Sequence, residues 1–281
     1  MAFAKRTTLM AATVMLVAGA VPAESSDKSH HTLWNPTPDN MLREMSADRP
    51  DKTESPYTVD AGRFQIETDL LAYTYDRQHG LTARTFNVAP FNLKIGLTSS
   101  TDLQLAYGAY SHIRMSGASP SRMSGFGDLT VRLKHNIWGN DGGRTAFAVM
   151  PFVKLPTNTI EGLNNDAEGG VIVPFAIDLG HGMELGLMSE IDILRAENGS
   201  GYKPAFVHSA ALGFDLTDKW GLYVEAFVER SVESGAETIA TLSAGVTYAV
   251  DTNLQLDAGA NIGVTDAADD VNLFVGLTRR Y

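Results

Sequence analysis

From Arg63 to the last residue, apolar and polar side chains alternate with a period of two. "RFQIETDL" sets Phe64, Ile66 and Leu70 against Arg63, Gln65, Glu67 and Asp69. "FNLKIGL" sets Phe91, Leu93, Ile95 and Leu97 against Asn92, Lys94 and Gly96. "DLTVRLKHNI" sets Leu129, Val131, Leu133 and Ile137 against Asp128, Thr130, Arg132 and Lys134. Such alternation predicts strands with one apolar and one polar face. Twelve segments carry it, at roughly 62–75, 84–97, 102–113, 126–138, 144–156, 170–180, 183–194, 203–216, 220–230, 238–250, 253–264 and 270–281. Many run to ten residues or more. Soluble strands average ~5–6 residues, whereas a tilted membrane-crossing strand needs ~9–11.

The connections alternate as well. "TSST", "GNDGG", "GHG", "TDK" and "DT" are tight turns after the even-numbered segments, and longer stretches follow the odd-numbered ones. Short turns on one rim, longer loops on the other and an even strand number predict an all-β, transmembrane antiparallel β-barrel of about 12 strands, of the outer-membrane type. A secreted soluble barrel of the lipocalin kind would show the same period with the faces reversed. Pro151 and Pro174 fall mid-strand, where each removes a ladder donor, and a bulge or local bend is expected at both.

The final stretch, "VNLFVGLTRRY", ends inside a strand. Leu273, Val275, Leu277 and the terminal Tyr281 share one face. Closing a barrel requires the last strand to pair with the first, so it must not fray. A terminal aromatic after alternating apolar residues resembles the signal that outer-membrane proteins show to the barrel-assembly machinery. Arg279 departs from that pattern, but at the rim its head can reach lipid headgroups.

Composition narrows the remaining possibilities. The chain of 281 residues has no cysteine, which excludes disulfides, zinc–thiolate sites and thiol nucleophiles. Lys5 and Arg6, an apolar stretch from Thr7 to Val21 and "VPA" read as a cleavable signal peptide over residues 1–23. Cleavage after Ala23 leaves 258 residues with 20 basic and 33 acidic side chains, a net charge of −13. That balance argues against a nucleic-acid partner. The expected location is the bacterial outer membrane.

"SADRPDKTESPYTVDAGRFQIE" (46–67), "LTSSTDLQL" (97–105), "GFGDLTVRLKHNI" (125–137) and "PFVKLPT" (151–157) together resemble the family of outer-membrane transporters that carries the name of the meta-pathway of phenol degradation. The resemblance covers most of the mature chain. It implies a barrel of the transporter or channel type, passing small solutes, aromatic or other small organic compounds among them. It implies no particular substrate, and no binding residue carries over.

Residues 24–56 precede a barrel domain placed at 57–281. Within them "TPDNMLREM" predicts one short helix, with Thr37 as cap, Pro38 in the first turn and Asp39 at the positive end. The segment is either a periplasmic tail or a plug, with Trp34 to Met45 entering the lumen and Trp34 and Met41 as anchors. His30 and His31 are adjacent but too isolated to form a metal site. "GFGDLT" lacks the third glycine and the helix of a dinucleotide site. His208 and Ser209 are neighbours, so they face opposite sides of a strand, as a catalytic pair could not. No cofactor and no enzyme activity are expected.

Strand phase also assigns the charges. Lys94, Arg132, Lys134 and Lys154 belong to the polar face of segments two, four and five. Asp178, Glu184, Glu190, Asp192, Asp215, Glu225, Glu229 and Asp257 belong to the polar face of segments six to nine and eleven. Around a barrel these form a basic wall and an acidic wall lining the lumen, and an open pore so lined prefers cations. The competing expectation is a closed lumen, filled by paired charges, in a structural or enzymatic barrel.

Overall fold

The computed structural model describes residues 27–281, apart from 79, 109, 118–119, 164–165 and 197–200. The leader at 1–23 and its cut after Ala23 lie outside the described residues. One antiparallel sheet contains β1 (Phe64–Gln78), β2 (Leu81–Val88), β3 (Phe91–Thr98), β4 (Thr101–Tyr107), β5 (Tyr110–Ser116), β6 (Ser121–Phe126), β7 (Leu129–Trp138), β8 (Thr145–Leu155), β9 (Glu168–Gly180), β10 (Met183–Arg195), β11 (Tyr202–Asp215), β12 (Trp220–Ser231), β13 (Thr238–Asp251), β14 (Leu254–Gly263) and β15 (Val271–Arg280). β15 pairs with β1, so the sheet closes on itself.

The fifteen segments make twelve barrel staves. The lower half of β1 pairs with β3 and its upper half with β2, so β2 and β3 are one stave broken at Ala89–Pro90. β4 and β5 form the next, and β6 and β7 the one after, broken at Gly127–Asp128. "GFGDLT" is thus a break within a stave. β1 answers the break at Pro90 with a bulge between Asp69 and Leu71, and Thr68 Oγ1 donates to Pro90 O at 2.8 Å. The extra residue flips the phase: Glu67 faces the lumen below the bulge, and Thr74 bonds inward-facing Asn272 above it.

Neither proline carries a bulge, one of the two expected responses. Arg132 pairs with Phe152 and His135 with Val149, the same register on either side of Pro151. Met150 pairs with Ile172 and Phe147 with Phe175, the same register on either side of Pro174. Each proline interrupts a ladder without a bulge. A missing donor removes one bond, and the alternation of buried faces holds the register across the gap.

Burial separates the two kinds of barrel. Lys94, Lys134, Gln65, Gln104 and Asp102 are among the most deeply buried side chains, whereas Leu242, Ile191, Ile137 and Leu273 are about half exposed on the outside. A soluble barrel has the reverse arrangement. An apolar outer band around a polar interior suits hydrocarbon outside, and closure satisfies the backbone there. The protein is a transmembrane β-barrel of the outer membrane. The chain end is part of the closure: Tyr281 N donates to Phe64 O at 2.7 Å, and Phe64 N to Tyr281 O at 3.2 Å. Arg279 reaches Asp251 at 3.1 Å and lies over the Tyr281 ring.

The tight turns 99–100, 139–144, 181–182, 216–219 and 252–253 share a rim with Phe64 and Tyr281. Epitope tags placed in "GASPS" (117–121) are therefore expected to be detected on whole cells, and tags in "GNDGG" (139–143) only after the membrane is opened. Surface detection of the second tag would invert the orientation.

Candidate functional site: a lumen threaded by residues 46–60

The chain before β1 runs along the turn rim and then turns into the barrel. Thr32 bridges to Thr98, and Leu33 N donates to Leu97 O at 2.8 Å. This holds residues 32–35 on the rim, where Trp34 is 90% exposed. Trp34 is therefore no anchor inside the lumen, and Met41 lines the mouth rather than the interior. The expected helix shrinks to one 3-10 turn, Asp39–Met41, with no side-chain cap. Thr37 is buried, and its carbonyl accepts from the Arg63 guanidinium at 2.6 Å. Arg43 pulls the following backbone straight: its N–H donates to Asp60 Oδ2 at 2.9 Å, and its guanidinium reaches Asp141 and the Ser99 carbonyl. These tertiary bonds outcompete a helix too short to hold itself. Burial raises the Asp141 carboxyl, but hydrogen bonds from Arg43 and Lys28 outweigh it and leave its pKa below the ordinary value.

Residues 46–60 occupy the interior, and charge places them. Asp48 sits 2.5 Å from Lys94 and 2.7 Å from Lys134. Glu54 meets Arg132 at 2.6 Å. On the other side Arg49 forks onto Asp257 at 2.7 and 2.8 Å and reaches Asp69 at 2.7 Å. The backbone N–H groups of Lys52 and Thr53 donate to Glu225 Oε1 at 3.0 and 2.8 Å. The segment thus presents acids to the basic wall and cations to the acidic wall. Paired and hydrogen-bonded, buried charges are tolerable where single ones are not. The wall is also cut to fit: a Cβ at Gly276 would collide with the Arg49 guanidinium, and one at Gly96 with the Asp60 carbonyl.

The basic wall is less basic than strand phase alone implied. Glu67 joins Lys94 at 2.5 Å, Asp102 is fully buried nearby, and Lys154 pairs with Glu168 at 2.5 Å. All four of Lys94, Arg132, Lys134 and Lys154 therefore have carboxylate partners, and the expected field across the lumen is largely cancelled on that side. Of the acidic set, Asp257 and Glu225 hold the segment, and Glu184 accepts from the Tyr57 hydroxyl at 3.0 Å. Asp178, Glu190, Asp192, Asp215 and Glu229 are in no ion pair among the described residues, and Asp192 Oδ1 is buried without a partner.

An apolar cluster fills another part of the interior. Met150, Ile172, Met188 and Val207 pack together with Phe152 and Phe227, and Glu54 N lies 3.4 Å from Met188 Sδ. These inward residues of β8–β12 put apolar side chains at polar-phase positions, so the apolar runs in "AVMPFV" and "VIVPF" were the available signal. Residues 50–54 leave two hollows. One of about 500 Å³ opens toward the turn rim and is lined by Glu44, Asp51, Glu54, Asp178, Glu184 and Asp215, with no lysine or arginine. The other, about 390 Å³, lies toward the loop rim between Arg49, Arg132, Asn261 and Asn272.

The remaining candidates take ordinary positions. Ser209 is buried against Thr53 Oγ1 at 2.7 Å, whereas His208 faces outward and meets Ser189 Oγ at 3.0 Å. His31 Nδ1 is 3.3 Å from the Asn35 carbonyl. Leu273, Val275 and Tyr281 are exposed on the outer face. Sequence reasoning named the wall charges but missed their partners Asp48, Arg49 and Glu54. The alternating signs of "DRPDKTE" were the available signal.

The fold is shared with solved outer-membrane proteins. An outer-membrane channel from Pseudomonas putida F1 superposes with a TM-score of 0.60 at 12% identity, over 84% of this chain and 100% of that one. The transport unit of the autotransporter AIDA-I from Escherichia coli gives 0.51 at 10% identity, over 84% and 92%. The β-domain of the Bordetella autotransporter BrkA gives 0.50 at 11%, over 78% and 99%. No curated protein matches the sequence. The family match starts at Ala47, so it takes in the threaded segment together with every stave. Over residues 47–281 the chain belongs to the family described as "Putative MetA-pathway of phenol degradation".

Proposed function

We propose that this protein is an outer-membrane channel for small solutes, narrowed by its own N-terminal segment and preferring cations when open. The carrying observation is the hollow beside residues 50–54, which has six carboxylates in its lining and no basic side chain. Carboxylate rings favour cations and small polar solutes in a pore. The segment is held chiefly by charge-assisted hydrogen bonds to the wall. Water entering the lumen can take over such bonds when the segment leaves, as it cannot for the contacts of an apolar plug. The apolar cluster beside the passage offers contact to the carbon skeleton of a small organic solute. Outer-membrane lipid surrounds the barrel, and the Leu273–Tyr281 face is what the assembly machinery would read.

Reversal potentials under a salt gradient test the lining. Replacing Asp178, Glu184 and Asp215 together by their amides is expected to lower cation preference with little change in folded yield. An unchanged reversal potential would remove this hollow from the permeation path. The complete pairing of the four wall cations favours a second reading, a closed structural barrel. Absence of any conductance steps from the purified protein would support it.

A further inference from the structure

We propose that the outward face of β1, β2, β5 and β6 binds the phosphates of a phosphorylated glycolipid of the outer leaflet. Strand register assembles the site. Tyr75 lies opposite Arg84, Arg84 opposite Arg114, and Arg114 opposite Arg122. Directly opposed residues of antiparallel strands share a face, so three arginines form one row across three adjacent strands. Arg77 adds a fourth, one row further out, opposite Thr82. All four are exposed, and none is in an ion pair among the described residues.

The rows beneath fix which face this is. Two residues closer to the membrane the row reads Tyr73, Phe86, His112, Ser124, and two further it reads Val88, Tyr110, Phe126. Phe86, Val88, Tyr110 and Phe126 are exposed, and Tyr73 packs on Phe86 and Tyr110 on Phe126. This is the outer aromatic belt of the barrel, where such rings sit at the membrane interface. At ~3.4 Å per residue, the arginine row lies ~14 Å along the tilted strands from Tyr110 and Phe126, about 10 Å higher along the membrane normal, at headgroup height.

Three like charges directly opposed destabilise a sheet unless a counter-charge joins them. None of the four has an ion-pair partner among the described residues: Asp76, next to Arg77, takes the inward phase of Thr74, and Asp102 is buried near the opposite rim. The register thus gathers exposed guanidiniums on one lipid-facing surface. Guanidinium forks match phosphate oxygens bidentately, and Arg84 is further oriented by lying 5.8 Å over the Tyr75 ring. The surface faces away from the lumen and is continuous with the belt, which selects a lipid over a permeating solute. The inference rests on the loop rim being extracellular.

Binding of diphosphoryl lipid A to the folded, detergent-purified protein tests it, read by native mass spectrometry. R84Q/R114Q/R122Q is expected to weaken binding by at least about ten-fold, the scale of one lost charge-assisted hydrogen bond. Removing the phosphates from the lipid should weaken the wild type similarly, whereas K203Q/K219Q should leave binding unchanged. Heat-modifiable gel migration shows that each variant is folded. Equal binding by the triple variant, or of the dephosphorylated lipid, overturns the proposal. Competition by inorganic phosphate at the same concentration would make this a free-anion site and overturn it too. Stronger binding of phosphatidylglycerol would place the face in the inner leaflet, overturning the lipid assignment and the orientation while leaving the channel reading intact.

Discussion

Deleting residues 27–56, with the leader kept, is expected to raise single-channel conductance several-fold while the barrel still assembles. The strand ladders and the closing pair between Phe64 and Tyr281 do not involve the deleted residues. What is lost is the bonding of Asp48, Arg49 and Glu54 to the walls and the physical division of the lumen. Lys94, Lys134 and Asp257 then face water that fills the vacated space, so they are solvated rather than orphaned. Planar-bilayer recordings give the conductance, and heat-modifiable migration reports the fold. A folded deletion protein with wild-type conductance would leave the segment without any role in occlusion.

Replacing Asp48 by Asn is expected to loosen the segment more than any other single change in it. Asp48 accepts from Lys134 with both oxygens at 2.7 Å, and also neutralises Lys94. Removing one partner of a buried pair costs about 3–5 kcal/mol. Open events should become more frequent, and protease should cut the segment faster in intact membranes. Adding Lys134→Met to Asp48→Asn removes the stranded charge and should recover part of the loss. If the double variant gates as often as the single one, the Asp48–Lys134 pair does not hold the segment.

Much of this architecture was legible along the chain because it rests on local rules. A period of two follows from strand geometry, and it located twelve staves and set the named wall charges on the polar face; it did not show the breaks at Ala89–Pro90 and Gly127–Asp128, which turn Arg84, Arg114 and Arg122 outward. The short-turn rim and the terminal strand fixed closure. Legibility ended where a property depends on residues distant in sequence. Pro151 and Pro174 looked like bulge sites, yet pairing on both sides of each kept the register. The stretch at 37–45 has helix-start residues, but Arg43 bonding to Asp60, Ser99 and Asp141 draws it straight. Gly96 and Gly276 could be placed on the inner face from their phase. Only the threaded segment shows why a Cβ has no room there. The sequence by itself therefore determined two-faced strands and the sign of the charges on their polar face, because alternation is a property of neighbours; burial of Lys94, Lys134 and Asp102 put that face inside. The tertiary structure decided which of those charges meet, since Asp48 and Lys134 or Arg49 and Asp257 become partners only when the chain before β1 turns back into the ring that it precedes.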